Sequence, residues 1–370
     1  MSTLSIDSKR LFLELFSYFT YFLCLKSQFK TINNKITERI MYTRVIATTV
    51  QYNEEAIKML EMTLKSFYLF NSNFDFKVYC LDNSKELFEN YFSEFKFKNL
   101  EFINFKDGTK WNSFVERVKN NKLTDLEKKN MFENKDGLYV FDTTVCISKL
   151  EVVDLLLERY DLVIMSDIDL IFINSIENCI EKFLESNKFM GAFEERKEYF
   201  NSGFMLFNKK YKQDLFDSAV NLLKNKDLRK IEKMYNTIDN KRVYFQGFEQ
   251  DLLNIVIQDF FKINNFIISF VCSEPDMLKY SERLEEFSLI HFISPSFKIC
   301  HEKKRKNIPY IKNIVIPFRH FYRDCCKLFG IEMTYVEHKF DKNYLLRLKP
   351  VLDKKLNFIK NAIEKSKNRI

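Results

Sequence analysis

The sequence predicts an α/β fold in which a mixed sheet is flanked by helices. The first observation is the opening, where an apolar strand at 44–50, a helical periodicity at 54–68 and a second strand at 76–81 indicate a βαβ unit. The second observation is a helix at 149–159 that leads directly into an apolar strand at 162–165. Because a helix again precedes a strand there, the α/β alternation continues through the middle of the chain.

The apolar strand at 162–165 runs straight into Ser166, Asp167, Ile168 and Asp169. In open α/β sheets ligands bind beyond the carboxyl ends of the strands, so the two aspartates lie where a site is expected. Side chains two positions apart on an extended chain share a face, and two carboxylates on one face repel unless a cation or hydrogen-bond donors lie between them. We therefore expect a hard divalent cation at Asp167 and Asp169, with a solvated acidic turn as the alternative.

Composition places the chain among globular proteins and argues against two nucleotide-binding classes. Of its 370 residues, 46% are hydrophobic and 30% are charged, as in a folded domain rather than a disordered chain. Only 6 residues are glycine, and neither GxGxxG nor GxxxxGKS/T occurs, which argues against dinucleotide dehydrogenases and P-loop enzymes. A phosphate group would therefore be held by a metal ion and by side chains.

Charge and cysteine content bear on partners and compartment. A net charge of +8 suits an anionic partner such as phosphate or a membrane surface, although a codon bias towards lysine would give the same excess. No aromatic-basic motif or zinc spacing accompanies this charge, so no nucleic-acid partner is expected. The 8 cysteines form no CxxC pair and no Asn-x-Ser/Thr site occurs, which together favour a reducing, cytoplasmic location.

The chain divides into three predicted regions: an N-terminal helical extension at 1–40, an α/β domain at 41–300 and a basic, mainly helical C-terminal region at 301–370. Within the first, Leu11–Leu25 is apolar but short for a bilayer span. We expect there an amphipathic helix on the core or on a membrane surface, with a signal anchor as the alternative. The basic C-terminal region is either a solvated face or a contact with anionic lipid. The polar stretch 106–136 is interpreted as a variable insertion.

One histidine and one lysine near residue 300 could serve the acidic pair. His291 ends a predicted strand, where an isolated histidine is usually a core residue. Beside two carboxylates it would complete a set of two oxygen donors and one nitrogen donor, which suits Mn²⁺ or Mg²⁺ with positions left open for phosphate oxygens. Such a metal would act as a Lewis acid on a departing diphosphate, and Lys298 could meet the same diphosphate as a point charge.

The chain carries an ordered set of segments between about residues 43 and 300: IATTVQYN at 46–53, YDLVIMSDIDLIF at 160–172, FNSGFMLFN at 200–208, FEQDLLN at 248–254 and LIHFISPSFK at 289–298. Gly203 lies inside the third of these, where a glycine in an apolar run marks a bend or a close backbone approach. The ordered set resembles nucleotide-sugar glycosyltransferases of the GT-A fold, and among them glycosyltransferase family 8, the glycogenin-like group.

The resemblance implies a metal and diphosphate site. Asp167, Asp169 and His291 would hold Mn²⁺, with Asp167 also near the ribose of the donor. Lys149 matches a basic residue that the family often places before the DxD strand, near the donor phosphate or sugar. Lys298 matches the lysine of the late segment, although that segment lacks the glycine and the Pro-Trp ending usual in the family.

The resemblance also implies a nucleoside and sugar site. Thr48 and Tyr52 would line the nucleoside pocket, with Tyr52 stacking on the base. Asn201 and Gln250 would contact the donor sugar. Glu249 stands where the family usually has aspartate. The residues expected at the reacting carbon are Glu249, Gln250 and Asp251.

The resulting expectation is transfer of a sugar from a nucleoside diphosphate sugar, a UDP-sugar, to a hydroxyl group of a glycan, lipid or protein. The families that the chain resembles retain the anomeric configuration, so retention is expected. One alternative is a catalytically silent, glycosyltransferase-like binding protein. The other is a phosphatase of the haloacid dehalogenase type, but those enzymes prefer Thr or Val where this chain has Ile171, and their motif usually lies near the domain start.

Overall fold

The structure is a computed structural model. It describes residues 42–106, 109–132, 143–196, 198–228, 249–264, 266–268, 287–291, 321–332 and 342–366. Apart from residues 42 and 43, all of these belong to one unit of the chain, Arg44–Ile370. The predicted extension at 1–40 and Lys298 lie outside the described residues, and the boundaries of the three predicted regions remain predictions.

Seven strands form one mixed sheet in the order β3-β2-β1-β4-β7-β6-β8, and three form a second sheet in the order β5-β10-β9. In the large sheet the first four strands are mutually parallel, whereas β7 runs antiparallel to both β4 and β6. Strand β8 is parallel to β6. In the order of the chain, the strands are β1 Arg44–Val50, β2 Asp75–Cys80, β3 Leu100–Asn104, β4 Leu162–Ser166, β5 Leu170–Phe172, β6 Met190–Arg196, β7 Tyr199–Asn208, β8 Phe261–Lys262, β9 Phe266–Ile268 and β10 Leu289–His291.

Helices cover both faces of the large sheet. On β1, Val45 and Ala47 belong to one apolar cluster and Ile46 to the other, because successive side chains of a strand point to opposite faces. Strand β4 is buried along its whole length, as expected for a strand covered on both sides. The helices are α1 Glu54–Phe70, α2 Lys85–Phe92, α3 Lys110–Lys119, α4 Asp125–Phe132, α5 Thr143–Leu157, α6 Glu177–Glu185, α7 Leu215–Asn225, α8 Glu249–Val256, α9 at 321–328 and α10 Lys342–Ser366.

The predicted α/β class and the mixed sheet flanked by helices are confirmed. Residues of α3, α4, α5, α7 and α8 pack in one apolar cluster, and those of α1, α2 and α6 pack in the other. Among the described residues, no helix combines the length and the apolar character that a membrane crossing needs.

The stretch interpreted as a variable insertion is folded onto the core where it is described. It forms helices α3 and α4, and Trp111 is only 5% exposed and stacks on Phe105 with ring centroids 5.8 Å apart. The buried residues of α3 are Trp111, Phe114 and Val115, one helical face of a short segment that is otherwise charged. Because many lysine, glutamate and asparagine residues surround this face, the helical spacing of its three apolar residues is a weak signal in the sequence.

The acidic segment joins the two sheets, since it lies between the end of β4 and the start of β5. The backbone N–H of Asp167 donates to the carbonyl of Gly203 on β7 at 2.7 Å. From the other side, the buried Thr63 hydroxyl on α1 donates to the carbonyl of Ile168 at 2.6 Å and lies 2.9 Å from that of Leu170. The backbone carrying the two carboxylates is therefore fixed by both β7 and α1.

Asp154 on α5 caps the start of α7 from outside that helix. Its carboxylate accepts from the backbone N–H groups of Leu215 at 3.1 Å and Phe216 at 2.9 Å, whereas the N-cap residue Asp214 makes no side-chain cap bond. Burial raises the pKa of Asp154 to about 6, against an ordinary value of 3.8, although the two backbone bonds lower it in part. The folded state therefore holds this proton more tightly than the unfolded chain does.

We expect Asp154→Asn to remove this pH dependence while keeping an oxygen acceptor for the helix. Because the pKa is higher in the folded state, the stability contributed at acid pH is lost as pH rises from about 4 to about 6. Across that pH range, the free energy of unfolding of the variant should therefore rise relative to that of the wild type, by up to roughly 3 kcal/mol. Urea unfolding of both proteins between pH 4 and pH 7 measures the difference, and a constant difference would contradict the assignment.

Candidate active site

The two aspartates and His291 meet where the large and small sheets adjoin. Strand β10 pairs antiparallel with β5, and the register places His291 opposite Leu170, next to Asp169 in the chain. The Nε2 atom of His291 lies 3.1 Å from Oδ1 of Asp169 and 3.4 Å from Oδ2 of Asp167. One ligand atom from each of the three residues lies within 4.8 Å of the others. The three predicted metal ligands are therefore brought together.

The hydrogen bonds around Asn201 fix which nitrogen of His291 carries a proton. The backbone N–H of Gly203 donates to Oδ1 of Asn201 at 2.9 Å, so this atom is an acceptor. The same oxygen lies 3.0 Å from Nδ1 of His291, and an acceptor can face only a protonated Nδ1. In the neutral ring, Nε2 then presents a lone pair to the two carboxylates.

This arrangement requires a positive charge among the three side chains, because otherwise three acceptors face one another. A proton on Nε2 is one solution. Burial would lower the pKa of His291, but the carboxylates of Asp169 and Asp167 outweigh it and raise the pKa to about 9. A divalent cation is the other solution, and two carboxylate oxygens with one imidazole nitrogen suit Mn²⁺ or Mg²⁺. The donor set therefore fits the predicted metal.

Lys149 on α5 ties the metal ligands to the start of α8. Its ammonium group forms ion pairs with Oδ1 of Asp167 and, at 2.9 Å, with Oε1 of Glu249, and the lysine and glutamate side chains are only 9% and 7% exposed. Burial would raise the pKa of Asp167, but Lys149 and His291 outweigh it and hold this pKa well below its usual range. Burial would likewise lower the pKa of Lys149, but the two carboxylates keep it well above its usual value. Lys149 thus stays charged and keeps Asp167 ionised at neutral pH.

The start of α8 is joined to β7 through Ser202. Its hydroxyl donates to Oε1 of Glu249 at 3.0 Å, and its backbone N–H donates to Oε1 of Gln250 at 2.9 Å. Asn201 also donates from Nδ2 to that Gln250 oxygen at 3.2 Å. Asp251, the next residue of α8, accepts from the Tyr199 hydroxyl of β7 at 2.8 Å. The residues predicted at the donor sugar and the reacting carbon therefore lie together along one β7–α8 contact.

The two residues predicted for the nucleoside differ in exposure. Tyr52 is 38% exposed, its ring packs edge-on against Phe88 with centroids 5.6 Å apart, and its backbone N–H donates to Oδ2 of Asp82 at 2.8 Å. Thr48 is fully buried on β1, and its hydroxyl has no hydrogen-bond partner in the described part of the chain. Of the two, only Tyr52 offers an open surface for stacking.

Sequence reasoning missed two polar residues of this region. Glu195 accepts from Nδ2 of Asn201 at 3.1 Å and from Nε2 of Gln250 at 3.2 Å, and the Tyr199 hydroxyl accepts from the same Gln250 nitrogen at 2.9 Å. Glu195 lies in a charged run, EERKE, that carries no pattern to distinguish it from solvated residues. Tyr199 immediately precedes the FNSG segment, and only this proximity could have indicated it.

Comparison with known proteins gives structural likenesses only, since no family model and no curated protein matches the sequence. Mouse xyloside xylosyltransferase 1, in its apo form, is 14% identical with a TM-score of 0.43 over 67% of this chain and 97% of that chain. The glycosyltransferase GlyE of Streptococcus pneumoniae TIGR4 is 14% identical with a TM-score of 0.45, over 85% of this chain and 64% of that chain. The galactosyltransferase LgtC, in complex with donor and acceptor sugar analogs, is 14% identical with a TM-score of 0.44, over 82% of this chain and 99% of that chain.

All three of these structures are glycosyltransferases, the class that the sequence motifs resemble.

Gly203 provides the space for the His291 ring, as expected for a glycine within an apolar strand. A Cβ atom at this position would lie 2.0 Å from Cε1 and 2.4 Å from Nδ1 of His291. We expect Gly203→Ala to displace the imidazole and weaken Mn²⁺ binding by at least about tenfold, since ligand orientation controls metal affinity. Electron paramagnetic resonance of free Mn²⁺ measures this affinity.

A matched control is Gly191→Ala on the neighbouring strand β6. There the added Cβ would meet the ring of Phe183 at 2.8 Å, in the apolar cluster and not at the metal ligands. This variant should lose stability and keep the Mn²⁺ affinity of the wild type. Equal affinity for Mn²⁺ in the two variants would show that the contact between Gly203 and His291 does not control the site.

Removing Lys149 should be costly, because it leaves two largely buried carboxylates without their cation. We expect Lys149→Ala to lower the free energy of unfolding by roughly 3 to 5 kcal/mol. Lys149→Met combined with Glu249→Gln should recover part of this loss. Lys110→Ala is the control, because its pair with Asp217 is more than half exposed on the lysine side and should contribute less than about 1 kcal/mol. Urea unfolding measures all four proteins, and similar losses for Lys149→Ala and Lys110→Ala would contradict this account.

Proposed function

We propose that this protein is a metal-dependent glycosyltransferase that moves a sugar from a UDP-sugar to a hydroxyl acceptor, with retention of configuration. The observation that carries the proposal is the cluster of Asp167, Asp169 and His291 at the carboxyl end of a parallel strand, with Nε2 of His291 directed at both carboxylates. Sugar-nucleotide specificity and retention rest on the sequence resemblance.

In this proposal Asp167, Asp169 and His291 bind Mn²⁺ or Mg²⁺. The bound cation would supply Lewis acidity where negative charge grows on the departing diphosphate. Lys149 keeps Asp167 ionised and fixes the Glu249 carboxylate through their ion pair. Because both partners are held before substrate arrives, the site does not have to reorganise during transfer.

The donor would lie along the interface of β7 and α8. Asn201 and Gln250 have amide groups on this interface and would contact the sugar, with Glu249 and Asp251 beside the reacting carbon. Tyr52 would stack on the base, with Thr48 beneath it on β1. Lys298 would contact the diphosphate. These roles are supported by the sequence motifs together with the contacts of the described residues, except that the role of Lys298 rests on its sequence motif alone.

We assign the acceptor to a hydroxyl group of a glycan, lipid or protein, and the protein to the cytoplasm. The five cysteines within the described ranges are all free thiols, which agrees with a reducing compartment. Peripheral membrane contact through residues 11–25 or through the basic region 301–370 is part of the same proposal.

A panel of UDP- and GDP-sugars with Mn²⁺, read as nucleotide release, tests the function. We expect release from a UDP-sugar that chelation of the metal abolishes. We expect Asp169→Asn to reduce it by at least about a hundredfold, because this variant loses one of two carboxylate ligands. Asp217→Asn, at an exposed carboxylate on α7, should retain full activity.

Four outcomes would contradict parts of the proposal. Release that persists in EDTA, or in Asp169→Asn, would remove the metal role. Preference for a GDP-sugar would overturn the assignment of the nucleotide. Tight binding of UDP-sugars without turnover of any would favour the catalytically silent binding protein, and hydrolysis of a generic phosphomonoester would favour a phosphatase.

A further inference from the structure

A β-bulge in the β6–β7 pair sets Glu195 apart from its neighbours. Glu194 pairs with Phe200, and Arg196 pairs with Tyr199, so the register shifts at Glu195, the extra residue on β6. Bulges change the direction of a side chain and are frequent beside functional sites. Here the Glu195 carboxylate reaches the side chain of Asn201, six residues away, within the candidate active site.

The Glu195 carboxylate can only accept hydrogen bonds, and this fixes which end of each neighbouring amide group faces it. Its Oε2 atom accepts from Nδ2 of Asn201 at 3.1 Å and from Nε2 of Gln250 at 3.2 Å. Ionised carboxylates have no proton to donate, so both amides must present nitrogen to Glu195. The oxygen of Asn201 is thereby directed to the other side, towards Gly203 and His291.

The orientation of the Asn201 amide in turn sets the hydrogen bonding of His291, one of the proposed metal ligands. Oδ1 of Asn201 accepts from Nδ1 of His291, and the opposite nitrogen, Nε2, is left to face Asp169 and Asp167. If the Asn201 amide were reversed, its NH₂ group would face Nδ1, and the neutral ring would carry its proton on Nε2. In that tautomer Nε2 has no lone pair to offer a metal ion beside the carboxylates, since only the unprotonated nitrogen of a neutral imidazole can bind a metal.

Three groups oppose this reversal. The backbone N–H of Gly203 holds the oxygen end of the Asn201 amide, whereas Glu195 and Oε1 of Gln250 hold the nitrogen end. Hydrogen bonds to charged groups are about twice as strong as those between neutral groups, so Glu195 makes the strongest of the three contacts. A carboxylate also polarises the amide, which makes its oxygen a better acceptor for the His291 proton.

We propose that Glu195 is a positioning residue of the metal centre, which acts through Asn201 to keep the His291 Nε2 lone pair available to the cation. The inference rests on the proposed function only in requiring that Asp167, Asp169 and His291 bind a divalent metal. It assigns Glu195 no contact with substrate and no part in the transfer step.

Mn²⁺ titration of the full chain, read by electron paramagnetic resonance of the free ion, tests this role without any sugar donor. Glu195→Ala should weaken Mn²⁺ binding by about 10- to 100-fold, the usual effect of losing a group that orients a metal ligand. Glu195→Gln should bind within about threefold of the wild type, because its side-chain oxygen can still accept from both amides.

The matched control is Glu194→Ala, which removes the same charge from the adjacent position. Glu194 pairs with Lys262 at 2.7 Å and accepts from the backbone N–H of Glu198 at 2.8 Å, and neither contact leads to Asn201. Its Mn²⁺ affinity should equal that of the wild type. A loss as large as that of Glu195→Ala would assign the effect to net charge near the site and overturn the inference.

A double-mutant cycle separates the relay from a general loss of packing. If Glu195 acts through Asn201, Glu195→Ala should have no further effect on Mn²⁺ affinity in an Asn201→Ala background. Additive losses would mean that Glu195 acts by another route, and wild-type affinity in Glu195→Ala would also overturn the inference. If the wild type binds Mn²⁺ and these results hold but no sugar is transferred, the proposed function fails while the relay stands. No Mn²⁺ binding by the wild type would overturn both the metal role and the relay.

Discussion

The need to neutralise carboxylates at the end of β4 governs the structure of this site. Asp167 and Asp169 are placed side by side by the strand, and Glu249 joins them from α8. Among the described residues, Lys149 from α5 and His291 from β10 pair with these carboxylates. Lys149 pairs with Asp167 and Glu249, and His291 contacts Asp167 and Asp169, where either a proton or a divalent cation would offset their charge. The proposed metal site is thus a consequence of how charge is distributed among packed elements.

The surrounding fold holds this charge arrangement rigid. Backbone bonds from β7 and the Thr63 hydroxyl on α1 fix the acidic segment, and the absence of a side chain at Gly203 leaves room for the imidazole. Along β7, Asn201 and Ser202 connect His291 to α8, so one strand serves both the metal ligands and the predicted sugar contacts. Any donor bound there would meet groups whose hydrogen-bond directions are already set.

Much of the architecture was predictable because it depends on local patterns. The β1–α1–β2 opening, the helix before β4 and the close approach at Gly203 each follow from periodicity or from one residue type in a defined place. The stretch interpreted as a variable insertion gave little indication of α3 and α4, since three buried residues on a short charged helix give a weak signal. Glu195 could not have been predicted, because only the bulge in β6 distinguishes it from the glutamates around it.

The sequence by itself determined the kinds of ligand atom and the strand end that presents two of them, because both are properties of a contiguous segment. Only the tertiary structure decided which nitrogen of His291 faces Asp169, 122 residues away along the chain, and which cation pairs with Glu249, 100 residues from Lys149. The physical reason is that hydrogen-bond polarity belongs to a network and not to a residue. The orientation of Asn201 depends on Gly203, Gln250 and Glu195 together, and the tautomer of the neutral His291 ring follows from that orientation.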